Sequence, residues 1–115
     1  MSSPDVWVGG WGFICGLGPV DLGNPAVPLP EAVEDQVRQI VANLDGILKK
    51  RSLTREQVVS ARIHLVDFKR FHERVNRTWG ELFAGAREPA KSCIGVVALP
   101  RGALVEMDLI VKEGS

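Results

Sequence analysis

Val33, Val37, Ile40, Val41, Leu44, Ile47 and Leu48 recur at steps of three and four, which places them on one face of a helix opening at Glu31 and running to about Lys50. The charges agree with its dipole: Glu31, Glu34 and Asp35 stand at the start, Lys49, Lys50 and Arg51 at the end. Thr54-Arg55-Glu56-Gln57 fits a capping box and predicts one helical turn. Val58 to Leu65 then alternates as a strand, with Val59, Ala61, Ile63 and Leu65 on one face and Ser60, Arg62 and His64 on the other. A second helix is predicted from Asp67 as N-cap through Phe68, Phe71, Val75, Trp79, Leu82 and Phe83, and Glu88-Pro89 ends that unit. Upstream, Val6 to Leu17 reads as a β-hairpin turning at Gly9-Gly10, and Leu22 to Pro30 as a proline-rich surface loop. Downstream, Lys91 to Ala98 and Leu104 to Lys112 read as two strands joined by a turn at Pro100-Arg101-Gly102. The predicted order is ββαβαββ, an α+β fold.

A chain of 115 residues makes one domain, 1–115. Its 14 Lys+Arg balance 14 Asp+Glu, so no broad basic field exists to hold nucleic acid or an anionic membrane. The longest uncharged stretch, Val6 to Val20, is interrupted by glycine, proline and cysteine and is too short to cross a bilayer. Met1-Ser2-Ser3-Pro4-Asp5 lacks the basic and apolar regions of a secretory signal, so a soluble, cytoplasmic protein is expected. Cys15 and Cys93 form no CxxC pair, and His64 and His72 have no cysteine pair near them, so neither a disulfide framework nor a structural zinc site is expected.

Two helices cover only one side of such a sheet. In the last strand Val105, Met107, Leu109 and Val111 can face them, leaving Leu104, Glu106, Asp108 and Ile110 on the other side. Lys91 to Ala98 is apolar on both faces. An uncovered apolar face predicts subunits packed sheet to sheet.

Glu106 and Asp108, two apart on one strand, share that second face and can act as acid and base where repulsion separates their pKa values. The alternative is a pair that meets solvent or a base across an interface. Lys91 and Cys93 also share a face and could bind an anion or activate the sulfur, against an ordinary strand-end lysine and an inert thiol. Cys15-Gly16 would let a ligand approach the backbone closely, or is simply a strand end. The run Gly9, Gly10, Gly12, Gly16, Gly18 matches neither nucleotide-loop pattern. Asn76-Arg77-Thr78 is a chance sequon within a helix. The aromatic residues at helical spacing read as core, and both histidines as surface residues without a triad partner.

Gln36-Val37-Arg38-Gln39-Ile40 with Asn43-Leu44 and Ile47-Leu48, then Pro89-Ala90-Lys91-Ser92-Cys93-Ile94-Gly95-Val96, Leu99-Pro100 and Val105-Glu106-Met107, resemble the Rid family. It is also called YjgF or reactive intermediate deaminase A-like, with the older name endoribonuclease L-PSP. The likeness runs from about Gly10 to Val111 and is most specific from Pro89 to Pro100. It implies a chorismate mutase-like fold and a homotrimer packed sheet to sheet, with a small-molecule cleft at each subunit interface. The implied reaction is hydrolysis of reactive enamines and imines, such as 2-aminoacrylate, to a keto acid and ammonia, without metal or bound cofactor.

Carried over by residue, the resemblance makes Glu106 the glutamate that positions water, with Cys93 and Gly16 shaping the pocket. Lys91 stands where the family has a carboxylate-clamping arginine, and lysine offers a point charge without the planar fork. Cys15 replaces a serine, Leu17 a glutamine, and the chain has no tyrosine. Asn76 lies five residues beyond Phe71 where the family usually shows four, which leaves its register open. The expectation is a homotrimer that binds a small anionic metabolite, with Lys91 holding the anion and Glu106 handling the proton. The alternative is a non-catalytic metabolite-binding or regulatory trimer that keeps the cleft. A ribonuclease, suggested by the older name, is disfavoured by zero net charge and the lack of a basic, aromatic-lined groove.

Overall fold

The computed structural model describes residues 5–114, so the leader question raised by Met1 to Pro4 lies outside the described residues. The elements are β1 (Asp5–Val8), β2 (Trp11–Leu17), α1 (Val33–Lys49), β3 (Val58–Val66), α2 (Phe68–Leu82), β4 (Ala90–Val96) and β5 (Val105–Lys112). They make one five-stranded mixed sheet in the order β1-β2-β5-β3-β4 with both helices on one face. The predicted ββαβαββ order and α+β class are therefore observed. β5 inserts between β2 and β3, antiparallel to both, while β3 and β4 run parallel through α2. The last two strands are thus consecutive in sequence without being neighbours.

Gly9 and Gly10 both take positive φ, 58° and 84°, as a two-residue hairpin turn that follows strand twist requires. The Thr54 capping box forms, and Arg55–Gln57 makes the single 3₁₀ turn it predicts. Asp67 precedes α2 as expected, but in the left-handed region (φ 53°) with no side-chain cap. Its carboxylate lies 3.9 Å from Arg70 instead.

The core is one cluster built from the α1 stripe, from Ala61, Ile63 and Leu65 of β3, from alternate β5 residues and from Phe71, Val75, Trp79 and Phe83. A register break between Val58 and Ser60 turns Val58 inward in place of Val59, because a bulge shifts the alternation by one. Leu104, expected on the far face, precedes β5 and packs against the core. The far face carries a patch of large apolar residues: Val6, Val8, Trp11 and Phe13 are 60%, 64%, 39% and 43% exposed. The β1–β2 register pairs Val6 with Phe13 and Val8 with Trp11, so all four share that side.

Candidate functional site: a pocket at the β2 bulge

β2 pairs regularly with β5 up to Ile14, opposite Leu109, and resumes with Leu17 opposite Met107. The irregularity between them holds Gly16 at φ 65°, a conformation that a side chain would oppose by about 1–2 kcal/mol. Gly16 donates its main-chain N–H to Oδ1 of Asp108 at 2.8 Å. A β-carbon built on Gly16 would lie 3.5 Å from Oε1 of Glu106. The missing side chain therefore leaves the Glu106 carboxyl facing the bulge backbone. A pocket of about 250 Å³ opens there, with Cys15, Gly16, Arg101 and Glu106 around it and Leu17, Leu22 and other apolar residues as its wall.

Two buried polar side chains of α1 hold that wall. Asn43 donates to the carbonyls of Gly18 and Val20 at 3.1 and 2.6 Å, and accepts from the Leu22 N–H at 3.3 Å and from Gln39 at 3.0 Å. Gln36 donates to the Pro30 carbonyl and accepts from the Leu104 N–H, both at 2.8 Å. Each bridges loop segments whose backbone groups find no ladder partner, as buried polar groups must.

Burial raises the Glu106 pKa above the ordinary carboxylate range; the neighbouring Asp108 charge raises it further and His64 opposes the shift. The β3–β5 register sets His64 opposite Glu106 and Arg62 opposite Asp108. A carboxyl raised in this way is a stronger base than an ordinary carboxylate and can both take and return a proton. The histidines, expected at the surface, are both half-buried beside polar partners.

The second group of expected residues lies elsewhere. Lys91 donates from Nζ to Oδ1 of Asn76 at 2.9 Å, and the same ammonium sits 5.7 Å from the centre of the Trp79 ring. Nδ2 of Asn76 is 3.2 Å from Nε2 of His72, whose ring stacks on Phe68. A β-carbon on Gly95 would meet Phe68 at 3.1 Å. Lys91, Cys93 and Gly95 thus face α2. Glu106 alternates with the buried Val105 and Met107 and faces the opposite side of the sheet. Cys93 is half-buried; burial raises its thiol pKa, partly offset by the Lys91 charge. Lys91, Cys93 and Asn76 come together, as do Cys15, Gly16 and Glu106, but the two groups do not meet within one chain. The one-residue offset of Asn76 after Phe71 does not separate it from Lys91.

Sequence reasoning missed Arg101, Asn43 and Gln36. For the last two a signal exists: they are the polar residues buried on the otherwise apolar face of α1. Among the described residues no three His, Cys, Asp or Glu side chains converge as a metal site, and no helix is long and apolar enough to cross a membrane.

A bulged antiparallel strand beside a carboxyl-bearing strand, in a five-stranded sheet with two helices on one face, defines a two-layer α+β class with a pocket at the bulge. The chain belongs to the endoribonuclease L-PSP family, whose model matches residues 2–113, the same family as Rid or YjgF. It is 33% identical to a RutC family protein of Aquifex aeolicus over 89% of this chain and 82% of that one. The conserved Rid family protein YyfA of Yersinia pestis superposes with a TM-score of 0.88 at 28% identity, over 96% of this chain and 86% of that one. The YjgF gene product of E. coli does so at 0.87 and 26%, over 96% and 87%. The chorismate mutase-like fold expected from the sequence is thereby established.

Proposed function

We propose that the protein is a homotrimeric hydrolase that converts a small, anionic enamine or imine metabolite to a carbonyl compound and ammonia. The observation that carries this reading is the Glu106 carboxyl, held above its ordinary pKa against the side-chain-free Gly16 at the edge of an otherwise apolar pocket. In the reaction, ionised Glu106 takes a proton from water as the water oxygen bonds to the carbon of the protonated imine, whose C=N π pair moves to nitrogen and gives a neutral amino alcohol. Glu106 returns that proton to nitrogen, the carbon–nitrogen bond breaks with its electron pair leaving as ammonia while an oxygen lone pair forms the carbonyl, and the hydroxyl proton passes to Glu106 and from it to the departing ammonia. No metal or bound cofactor is required for this sequence.

Two features support assembly. The exposed Val6, Val8, Trp11 and Phe13 patch would be covered by another sheet. Lys91 and Cys93 face away from Glu106, so they can serve one ligand with it only when they come from a neighbouring copy. The free thiols of Cys15 and Cys93 suit a reducing cytoplasm.

The test is coupled ammonia and keto-acid release from enzymatically generated 2-imino acids, with Glu106→Gln and Lys91→Arg beside the wild type and light scattering for the trimer. Turnover abolished by Glu106→Gln supports the hydrolase. Metabolite binding without turnover in any variant supports the regulatory trimer instead.

A further inference from the structure

The pocket beside Glu106 has its own cation. Arg101 lines it together with Cys15, Gly16 and Glu106, and among the described lining residues it is the sole positive charge. Arg55 and Arg74 are each held by a carboxylate, through Asp45 and Glu34. No hydrogen bond or ion pair engages the Arg101 guanidinium among the described residues. It does not figure among the charges that set the ionisation of Glu106 either, which are Asp108 and His64. Lys91, the expected anion holder, already donates to Asn76, lies over Trp79 and faces the other side of the sheet.

The backbone around Arg101 is short and fixed. Pro100 precedes it, Gly102 follows at φ 69°, and the Ala103 N–H closes the turn on the Pro100 carbonyl at 3.1 Å. Arg101 itself sits at φ 61° and ψ 18°, a region in which glycine or asparagine would be less strained. Leu17, Leu22 and Leu29 line the same pocket. One planar, bidentate donor sharing a pocket with an aliphatic wall matches a monocarboxylate with an apolar tail.

Resting on the reading of this pocket as the ligand site, we propose that Arg101 is its specificity-determining residue. Its guanidinium takes the carboxylate of a small aliphatic 2-oxo or 2-imino acid whose tail lies against the leucine wall. The arginine fork that the Lys91 position lacks is supplied from the turn between β4 and β5.

The experiment is calorimetric titration of the full chain with 4-methyl-2-oxopentanoate and with the corresponding uncharged amide. Arg101→Gln and Arg101→Asn should each weaken binding of the acid about tenfold or more, as loss of a charge-assisted pair does. Both should leave the amide unaffected, with Arg101→Lys between them and the wild type. Arg101→Asn suits the left-handed backbone, so an unchanged or raised melting temperature shows that lost binding is not lost folding. Unchanged acid binding in both variants would overturn the proposal, and so would a loss seen only in Lys91→Gln or a wild type that binds neither compound. Arg101-dependent binding without imine turnover would sink the hydrolase reading and leave this assignment standing.

Discussion

Gly16 donates its main-chain N–H to the Asp108 carboxylate at 2.8 Å across the β2–β5 irregularity, and Asp108 is in turn one of the charges that raise the pKa of Glu106. One carboxylate thus fixes the bulge and tunes its neighbour. Asp108→Asn keeps an acceptor oxygen for Gly16 but removes the charge, so the Glu106 pKa should fall. If ionised Glu106 is the base, the acidic limb of the kcat/KM profile should move to lower pH. His64→Gln removes the opposing influence and should move it the other way. Stability follows the same sign. A carboxyl whose folded pKa is raised favours the fold below its unfolded value and loses that contribution as pH rises through the folded one. Replacing Glu106 with Gln should therefore flatten the change in melting temperature across that interval, and an unaltered pH profile in all three variants would refute the assignment.

Asn43 is one of the two buried tethers of the loop that walls the pocket. Asn43 satisfies the carbonyls of Gly18 and Val20 and the N–H of Leu22. Truncation in Asn43→Ala leaves those groups unpaired at a cost of about 1–3 kcal/mol. At this chain length that corresponds to a fall in melting temperature of about 4 °C or more per kcal/mol. Ligand affinity should fall with it, because residues 18–22 supply part of the pocket. Asn43→Asp, which keeps acceptors but loses both donors, should lie closer to Ala than to the wild type.

The helix faces, the capping box and the inward row of β5 were all legible in the sequence, because each rests on periodicity within one element. Val59 was misplaced because a bulge resets the alternation, and a bulge depends on the partner strand. The site was legible as residue types and only half as geometry. Glu106 with Gly16, and Lys91 with Cys93, could be paired by position along their strands. The separation of the two pairs on opposite faces depends on β5 inserting beside β3, a long-range choice no local pattern encodes. Arg101 was hidden by its place in a Pro-Arg-Gly turn, where turn chemistry already accounts for its neighbours.

Arg74 on α2 donates to both carboxylate oxygens of Glu34 on α1 at 2.7 and 2.8 Å, and this hydrogen bonding lowers the Glu34 pKa from 4.5 to about 2. A depressed folded pKa contributes stability that is present above the unfolded value and lost as pH falls toward the folded one. Melting temperature should accordingly decline between pH 4.5 and 2, and Glu34→Gln should remove part of that decline while lowering stability at pH 7. Both side chains remain partly exposed, at 25% and 39%, so the effect at pH 7 should shrink in high salt. A pH dependence identical in the variant would show that the bridge does not couple the helices.

The two cysteines give a final, independent check on which way each strand end faces. Cys15 is exposed at the pocket, whereas Cys93 is half-buried toward α2 with its thiol pKa raised chiefly by burial. The thiolate is the species that reacts with iodoacetamide, so burial slows Cys93 twice, by limiting access and by depleting the anion. At pH 7.5 peptide mapping should find Cys15 alkylated first, with Cys93 modified at least about tenfold more slowly. Lys91→Gln removes the charge that partly stabilises the Cys93 thiolate and should slow that site further while leaving Cys15 alone. In the proposed trimer a pocket ligand should shield both thiols, Cys15 of one copy and Cys93 of the neighbour whose β4 edge meets the Glu106 pocket. Protection of Cys15 with Cys93 unaltered at saturating ligand would mean that the pocket is filled within one chain and would overturn the shared cleft.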